Sequence, residues 1–298
     1  MTETIIKTTL RGQLSENVTL SEFTSWRVGG KVKRMYHPAD IEDLSAFLKT
    51  LPRDEKIIWI GLGSNLLVRD GGLNATVIAT QGALSEITCL DETTVYAEAG
   101  VSCAQAARYS ARQSLTGIEF LAGVPGTVGG ALAMNAGCFG GETWNHVKAV
   151  QTIDRQGVLH TRTPDMFEIA YRHVKNPQEE WFISGTFQLA VGDKKKSLAM
   201  IRELLDRRAE TQPTNEPSCG SVFRNPPGNH SAKLIEACGL KGHRIGGAQV
   251  STKHANFIVN TGSATAKDIE TLIAYVADVV EEKHQIQLIR EVHIIGDE

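Results

Sequence analysis

The sequence predicts an α+β chain, and three observations carry that reading. Two strand-like runs, 32–37 and 56–60, flank a segment in which Ile41, Leu44, Phe47, Leu48 and Leu51 fall on one helical face. Short strand-like runs punctuated by glycine turns follow, ending in a hairpin across Asp154-Arg155-Gln156-Gly157. Composition then shifts near Gly192, where a charged amphipathic helix and a proline-bearing segment open a further unit of helices and strands.

Each element has a local reason. Asp40 stands where a helix beginning at Ile41 needs an N-cap. Strands are expected at 66–68, 75–80 and 94–99, and an alanine-rich helix at 102–114. The hairpin strands are 146–153 and 158–163, followed by a strand at 181–191. Beyond Gly192 the periodicity gives a helix over 194–210, then Pro213 and Pro217 break the chain. Helices are expected at 232–238 and 265–283, the second capped by Thr265 with Asp268. Strands at 256–260 and 288–295 complete this unit, and the two-residue period puts Ile289, Glu291, His293 and Ile295 on one face.

Charge and cysteine usage narrow the function. A net charge of −3 over 298 residues argues against nucleic acid as the main partner. The basic run Lys194-Lys195-Lys196 reads as a solvated helix start. No apolar run reaches transmembrane length, and the opening MTETIIKTTLRGQL has neither an apolar core nor a small-residue cleavage site. The five cysteines show no CxxC spacing, and HExxH and HxxxH are absent. Free thiols, a cytoplasmic setting and no metal are therefore expected.

Two glycine-rich stretches ask for an explanation. GLGSN, with Gly61, Gly63, Ser64 and Asn65, follows a predicted strand. AGVPGTVGGALAMNAG begins at Ala122 and carries Gly123, Pro125, Gly126, Thr127, Gly129 and Gly130, then Ala131, Asn135 and Gly137. Neither stretch is a P-loop, since no GK[ST] follows, and neither has the GxGxxG spacing of a dinucleotide fingerprint. Glycine costs about 0.5–1 kcal/mol relative to alanine in regular structure, so such density needs a return. A tight or close-packed turn supplies one. Close approach of main-chain N–H groups to a pyrophosphate supplies another.

The combination of motifs resembles a known family. TSWRVGG at 24–30, GLGSNLLV at 61–68 and GVPGTVGGALAMNAG at 123–137 are similar to the flavin-binding half of UDP-N-acetylenolpyruvoylglucosamine reductases. These belong to the wider flavoprotein family related to vanillyl-alcohol oxidase. AYR at 170–172, PSCGSVFRNP at 217–226, GGAQVSTKHANFIVN at 246–260 and LIREVHIIG at 288–296 extend the likeness, in order, along the chain.

The resemblance implies two FAD-binding subdomains, 1–80 and 81–191, and a substrate-binding domain, 192–298. It implies non-covalent FAD with its pyrophosphate on the glycine stretches, NADPH as co-substrate, and reduction of UDP-N-acetylglucosamine enolpyruvate to UDP-N-acetylmuramate in a cytoplasmic enzyme; nothing in the sequence suggests an exposed apolar helix seam, so a monomer is expected. It makes Ser221 the proton donor to an enolate-like centre, Arg172 the partner of the substrate carboxylate, and Glu291 a buried acid beside it. Arg224 and Asn225 fall to substrate binding, with Gln212 and Lys253 as further candidates. Longer members carry an insertion with a tyrosine over the substrate diphosphate. Here 173–177 runs straight into the next strand, as in the shorter subtype, and what covers the diphosphate is left open. A sugar or alcohol oxidase on the same flavin fold, in which Ser221 has no role, and a non-enzymatic UDP-sugar- or flavin-binding module are the rival readings.

Overall fold

A computed structural model describes residues 10–298, so most of the N-terminal segment read above as lacking a leader lies outside the described residues. Four strands form the first sheet, in the order β1-β2-β5-β3: β1 (Gln13–Thr19), β2 (Lys31–His37), β3 (Ile57–Ile60) and β5 (Leu73–Ala79). Helix α1 (Ile41–Leu48) crosses from β2 to β3, the expected β-α-β start. Asp40 caps it by accepting from the Asp43 amide at 2.8 Å, and Leu44, Phe47 and Leu48 are buried against Tyr36 and Ile78. Between β3 and β5 lies the short strand β4 (Leu66–Val68).

The second unit is an antiparallel sheet in the order β10-β9-β13-β7-β6: β6 (Ile87–Cys89), β7 (Thr94–Glu98), β9 (Val147–Asp154), β10 (Leu159–Arg162) and β13 (Glu180–Gln188). Helices α2 (Cys103–Arg112) and α3 (Val128–Met134) lie in its core. The alanines of α2 are buried at Ala106, Ala107 and Ala111, which lets the helix sit close. Strand β8 (Leu115–Thr116) pairs with β14 (Ala190–Val191), and β11 (Glu168–Ala170) forms a two-stranded hairpin with β12 (His173–Lys175). The glycine-rich stretch thus contains α3, a helix that glycine's poor propensity hides from sequence pattern.

Helix α4 (Lys194–Thr211) begins where expected, capped by Asp193, but its apolar stripe belongs to the second unit. Ile201 is buried in that core, with Leu198 and Leu205 packed against it. By packing, the core therefore runs past Gly192 as far as Leu205 of α4, because the composition shift marks the solvent face of the helix rather than its buried one. The last unit contains α5 (Ser231–Ala237), the sheet β15 (Arg244–Ile245), β16 (Ala248–Val250) and β17 (Ile258–Asn260), and α6 (Ala266–His284). Thr265 and Asp268 form a reciprocal capping box on α6, as read from the sequence.

The strand expected over 288–295 is shorter. Only β18 (His293–Ile295) is regular, and it pairs in parallel with β4 of the first unit. Residues before it bond elsewhere: the Arg224 amide donates to Ile289 O at 2.9 Å and the Glu291 amide to Val222 O at 2.8 Å. Other ties join the same two units. The Trp26 indole donates to Ile258 O at 2.7 Å, Asn260 Nδ2 donates to Trp26 O at 2.9 Å, and Arg69 pairs with Glu270 at 2.7 Å. Among the described residues no helix is long and apolar enough to cross a membrane.

Asp70 caps α6 from the first unit, its two oxygens accepting from the Ala266 and Lys267 amides, each at 3.0 Å. Replacing it leaves those donors without a charged partner at the positive end of the helix. Asp70→Ala is expected to lower stability by about 1 kcal/mol, the usual cost of a lost cap. Urea unfolding of the variant checks this, and an unchanged midpoint rules the cap out.

Candidate active site

The two glycine stretches meet face to face. GLGSN turns out of β3, and the amides of residues 61–65 find no acceptor among the described residues. The second stretch runs into α3, where Thr127 is the N-cap and its hydroxyl accepts from the Gly130 amide at 3.5 Å. Between them lies a groove of about 200 Å³ lined by Gly61, Gly63, Ser64, Asn65, Pro125, Gly126, Thr127, Gly130 and Ala131. It continues in one direction into a cavity of about 260 Å³ that includes Gly129, Asn176 and the stacked pair Trp59 and Trp181, whose centroids are 5.5 Å apart. In the other it opens into a cleft of about 410 Å³, on whose wall Gly123 and Gly137 lie.

The glycines divide by what surrounds them. A Cβ at Gly129 would meet Ala99 Cβ at 2.8 Å, one at Gly123 would meet Phe139 at 2.9 Å, and one at Gly137 would strike Gly141 O. Gly61 is pressed against Thr127, and Gly63 has φ +60 and abuts Phe23 O. Protein packing accounts for these five. Gly126 and Gly130 differ: an added Cβ would find only Ser64 Oγ at 3.4 Å and Thr127 Oγ1 at 3.8 Å. Their bareness faces the groove, where it leaves room for a ligand on the main chain.

Arg172, Ser221 and Glu291 all line the 410 Å³ cleft, together with Asn225 and Gln212. Arg172 sits at the turn between β11 and β12 with φ +54, a left-handed conformation that costs a non-glycine residue about 1–2 kcal/mol. Its guanidinium is held on three sides: Nε donates to Glu291 Oε1 at 2.9 Å, and its terminal nitrogens donate to Asn135 O at 3.3 Å and Gly137 O at 2.5 Å. Burial pushes the Glu291 carboxyl above its ordinary range, and the Arg172 charge opposes that only in part. Ser221 precedes Val222, whose carbonyl anchors Glu291, and the serine hydroxyl has no hydrogen bond among the described residues. A structural turn serine would spend that hydroxyl on backbone.

Other sequence-selected residues sit differently. Asn135 lines none of these spaces: it is buried in the left-handed conformation, donating to Glu142 and Ala170 O and accepting from the Trp144 amide. Its side chain is spent on the fold, and it serves the site through its carbonyl on Arg172. Asn65 links the groove to the acid, its Nδ2 donating to Glu291 O at 3.1 Å. Arg224 does not line the cleft, although its charge reaches Glu291 and His293. Lys253 is not at the cleft either, because its ammonium is engaged with Ala209 O at the end of α4. Cys219 is buried, and its thiol is pushed up to about 12, which keeps it from acting as a nucleophile.

Sequence reasoning missed Arg208 and His293. His293 lines the groove and Arg208 the cleft. A signal for Arg208 was present: with Ile201 and Leu205 it repeats at helical spacing, a charge on the apolar stripe of α4.

Comparison with known proteins gives a consistent picture. Residues 212–295 match the family described as UDP-N-acetylenolpyruvoylglucosamine reductase, C-terminal domain, and residues 32–162 match the FAD binding domain family. A UDP-N-acetylenolpyruvoylglucosamine reductase of Legionella pneumophila (strain Corby) is 60% identical over 288 residues, covering 96% of this chain and 94% of that protein. One from Alkalilimnicola ehrlichii is 56% identical over 286 residues, 96% of each chain. Among solved structures, the reductase of Thermus caldophilus superposes with a TM-score of 0.81 at 31% identity, covering 96% of this chain and 99% of that one.

The division among the glycines is testable with FAD. Gly130→Ala adds a methyl only toward the groove, so the apoprotein is expected to be as stable as the parent, or more so by up to about 1 kcal/mol. Its FAD affinity should fall. Gly129→Ala drives a methyl into Ala99 and should destabilise the apoprotein by about 1–3 kcal/mol. Thermal unfolding without FAD, followed by FAD titration, separates the two; full FAD affinity in Gly130→Ala removes the groove as the cofactor's seat.

Proposed function

The chain belongs to the UDP-N-acetylenolpyruvoylglucosamine reductase family, and from that premise we propose that it reduces UDP-N-acetylenolpyruvoylglucosamine to UDP-N-acetylmuramate, a step in cytoplasmic peptidoglycan precursor synthesis. It is an FAD-dependent oxidoreductase, and NADPH is the proposed reductant. The observation that carries this reading is one cleft lined by Ser221, Arg172 and Glu291 and continuous with the glycine groove.

The residues present fit the cofactor. Gly126 and Gly130 keep space open beside the uncommitted amides of 61–65, an arrangement suited to a pyrophosphate. When bound, FAD supplies the hydride chemistry, drawn from NADPH and delivered at its N5, that side chains lack.

The chain's own residues handle charge and proton. The substrate's carboxylate gains negative charge as its vinyl group is reduced, and Arg172, already oriented by two carbonyls, offers it a fixed cation. Glu291 in its protonated form shares a proton with that carboxylate, which its burial favours. Ser221 delivers a proton to the carbon next to the carboxylate; a hydroxyl suffices because such a carbanion is a far stronger base than an alkoxide. Asn225 and Gln212 line the same cleft and contact the rest of the substrate.

Ser221→Ala should leave FAD reduction by NADPH nearly intact and slow reoxidation by the enolpyruvyl sugar by about 10²–10⁴, or roughly 3–6 kcal/mol in the barrier. Stopped-flow traces of the two half-reactions decide this: unaltered reoxidation takes Ser221 out of the mechanism.

Glu291 sets a pH dependence of definite sign. Its carboxyl titrates above the ordinary value, so the active protonated form is lost as pH rises through that raised pKa, and kcat should decline on the alkaline side. Glu291→Gln cannot ionise and should show a lower but flatter alkaline profile. An alkaline limb of the same shape in the variant assigns it to another group.

A further inference from the structure

Arg208 is a cation on the cleft wall with no carboxylate partner among the described residues. It lies on the apolar stripe of α4, half-buried, and forms no salt bridge among the described residues. Its Nε donates to Gln212 Oε1 at 3.1 Å, which orients the plane of the guanidinium. Its two terminal nitrogens have no acceptor among the described residues. The end of the helix that carries it is pinned on both sides. The Arg207 guanidinium lies 5.8 Å from the Phe139 ring centroid, and Lys253 donates to Ala209 O.

Arg208 also stands at a junction. The 410 Å³ cleft that holds Ser221 and Glu291 adjoins an outer cleft of about 400 Å³ between the first unit and the segment after α4. Pro125, Arg208, Gln212, Gly220 and Phe257 belong to both walls. The outer cleft offers hydrogen-bonding side chains, Ser25, Gln81, Thr214 and Asn215 among them. Of the other cations on these walls, Arg172 is assigned above to the substrate carboxylate and Arg27 is solvent-exposed.

We propose that Arg208, oriented by Gln212, grips the diphosphate of a nucleoside diphosphate sugar at the throat between the two clefts, with the sugar end inward and the nucleoside outward. A planar fork with two free donor nitrogens matches phosphate oxygens bidentately, and desolvation strengthens the contact. The bound diphosphate gives the half-buried cation the counter-charge the protein withholds. This rests on the function proposed above, and it assigns to α4 the covering of the diphosphate that the missing tyrosine insertion leaves open.

The test uses the oxidised FAD-loaded enzyme and UDP-N-acetylglucosamine, with binding followed by calorimetry and uridine as the phosphate-free control. Arg208→Gln is expected to weaken UDP-N-acetylglucosamine by about 10- to 100-fold, the range for a lost charged hydrogen bond, and to leave uridine unchanged. Arg208→Lys keeps the charge without the fork and should lose less; it carries the test if the glutamine variant fails to fold. Equal loss for uridine, or none for the diphosphate, overturns the proposal. Stopped-flow reduction by NADPH separates the other source of a diphosphate: a loss confined to that half-reaction gives Arg208 to the reductant and overturns the assignment to the sugar nucleotide. Failure of the enolpyruvyl UDP-sugar to reoxidise the reduced parent enzyme defeats the proposed function itself, a result distinct from any of these.

Discussion

The site depends on one guanidinium. Arg172 reaches from a hairpin of the second unit to a carboxylate of the third, and it takes its orientation from two carbonyls at the end of the second glycine stretch. Neither the acid nor the cation is isolated: desolvation raises the carboxyl while the neighbouring charge restrains it. The left-handed backbone at Arg172 is the local cost of aiming that side chain inward. Such strain survives where several contacts over-determine the conformation, as they do here.

The same economy links cofactor groove and cleft. Asn65 closes the first glycine loop and also bonds the main chain of Glu291, while Asn65 O accepts from the His293 amide at 3.0 Å. Cys219 adds a second tie, its thiol pointing at Gly63 O and Leu66 O. The groove and the acid in the cleft are therefore positioned by one continuous piece of backbone. Side chains tied into shared backbone in this way keep their places without reorganising.

Legibility from sequence followed locality. The β-α-β start, the Asp40 cap and the Thr265–Asp268 box were readable because each is settled within a few residues. The glycine density was visible in the sequence, but not which glycines serve packing: Gly129 and Gly137 face neighbours that are distant or folded back in the chain. Asn135 and Lys253 misled for one reason. A polar side chain inside a motif gives no hint that its hydrogen bonds are already spent on Trp144 or on Ala209. The regular strand expected around Glu291 gave way because residues 289–291 pair with 222–224, a long-range choice that alternation cannot reveal. The composition shift near Gly192 does not reveal that α4 packs on the second unit, because the helix wears its charges outward.

The parallel pairing of β18 with β4 has a consequence for how the molecule comes into being. The elements that bracket the groove and the acid stand 226 positions apart, as the Asn65–Glu291 contact shows. Chain closure over such a span is slow to nucleate, and its entropy is recovered only when the last strand docks. During synthesis the earlier units emerge and collapse first, with the β4 edge waiting for its partner. Closure of the β4 edge is then one of the final events of folding, and the groove and the cleft acid reach their mutual placement only when the C-terminal strand arrives.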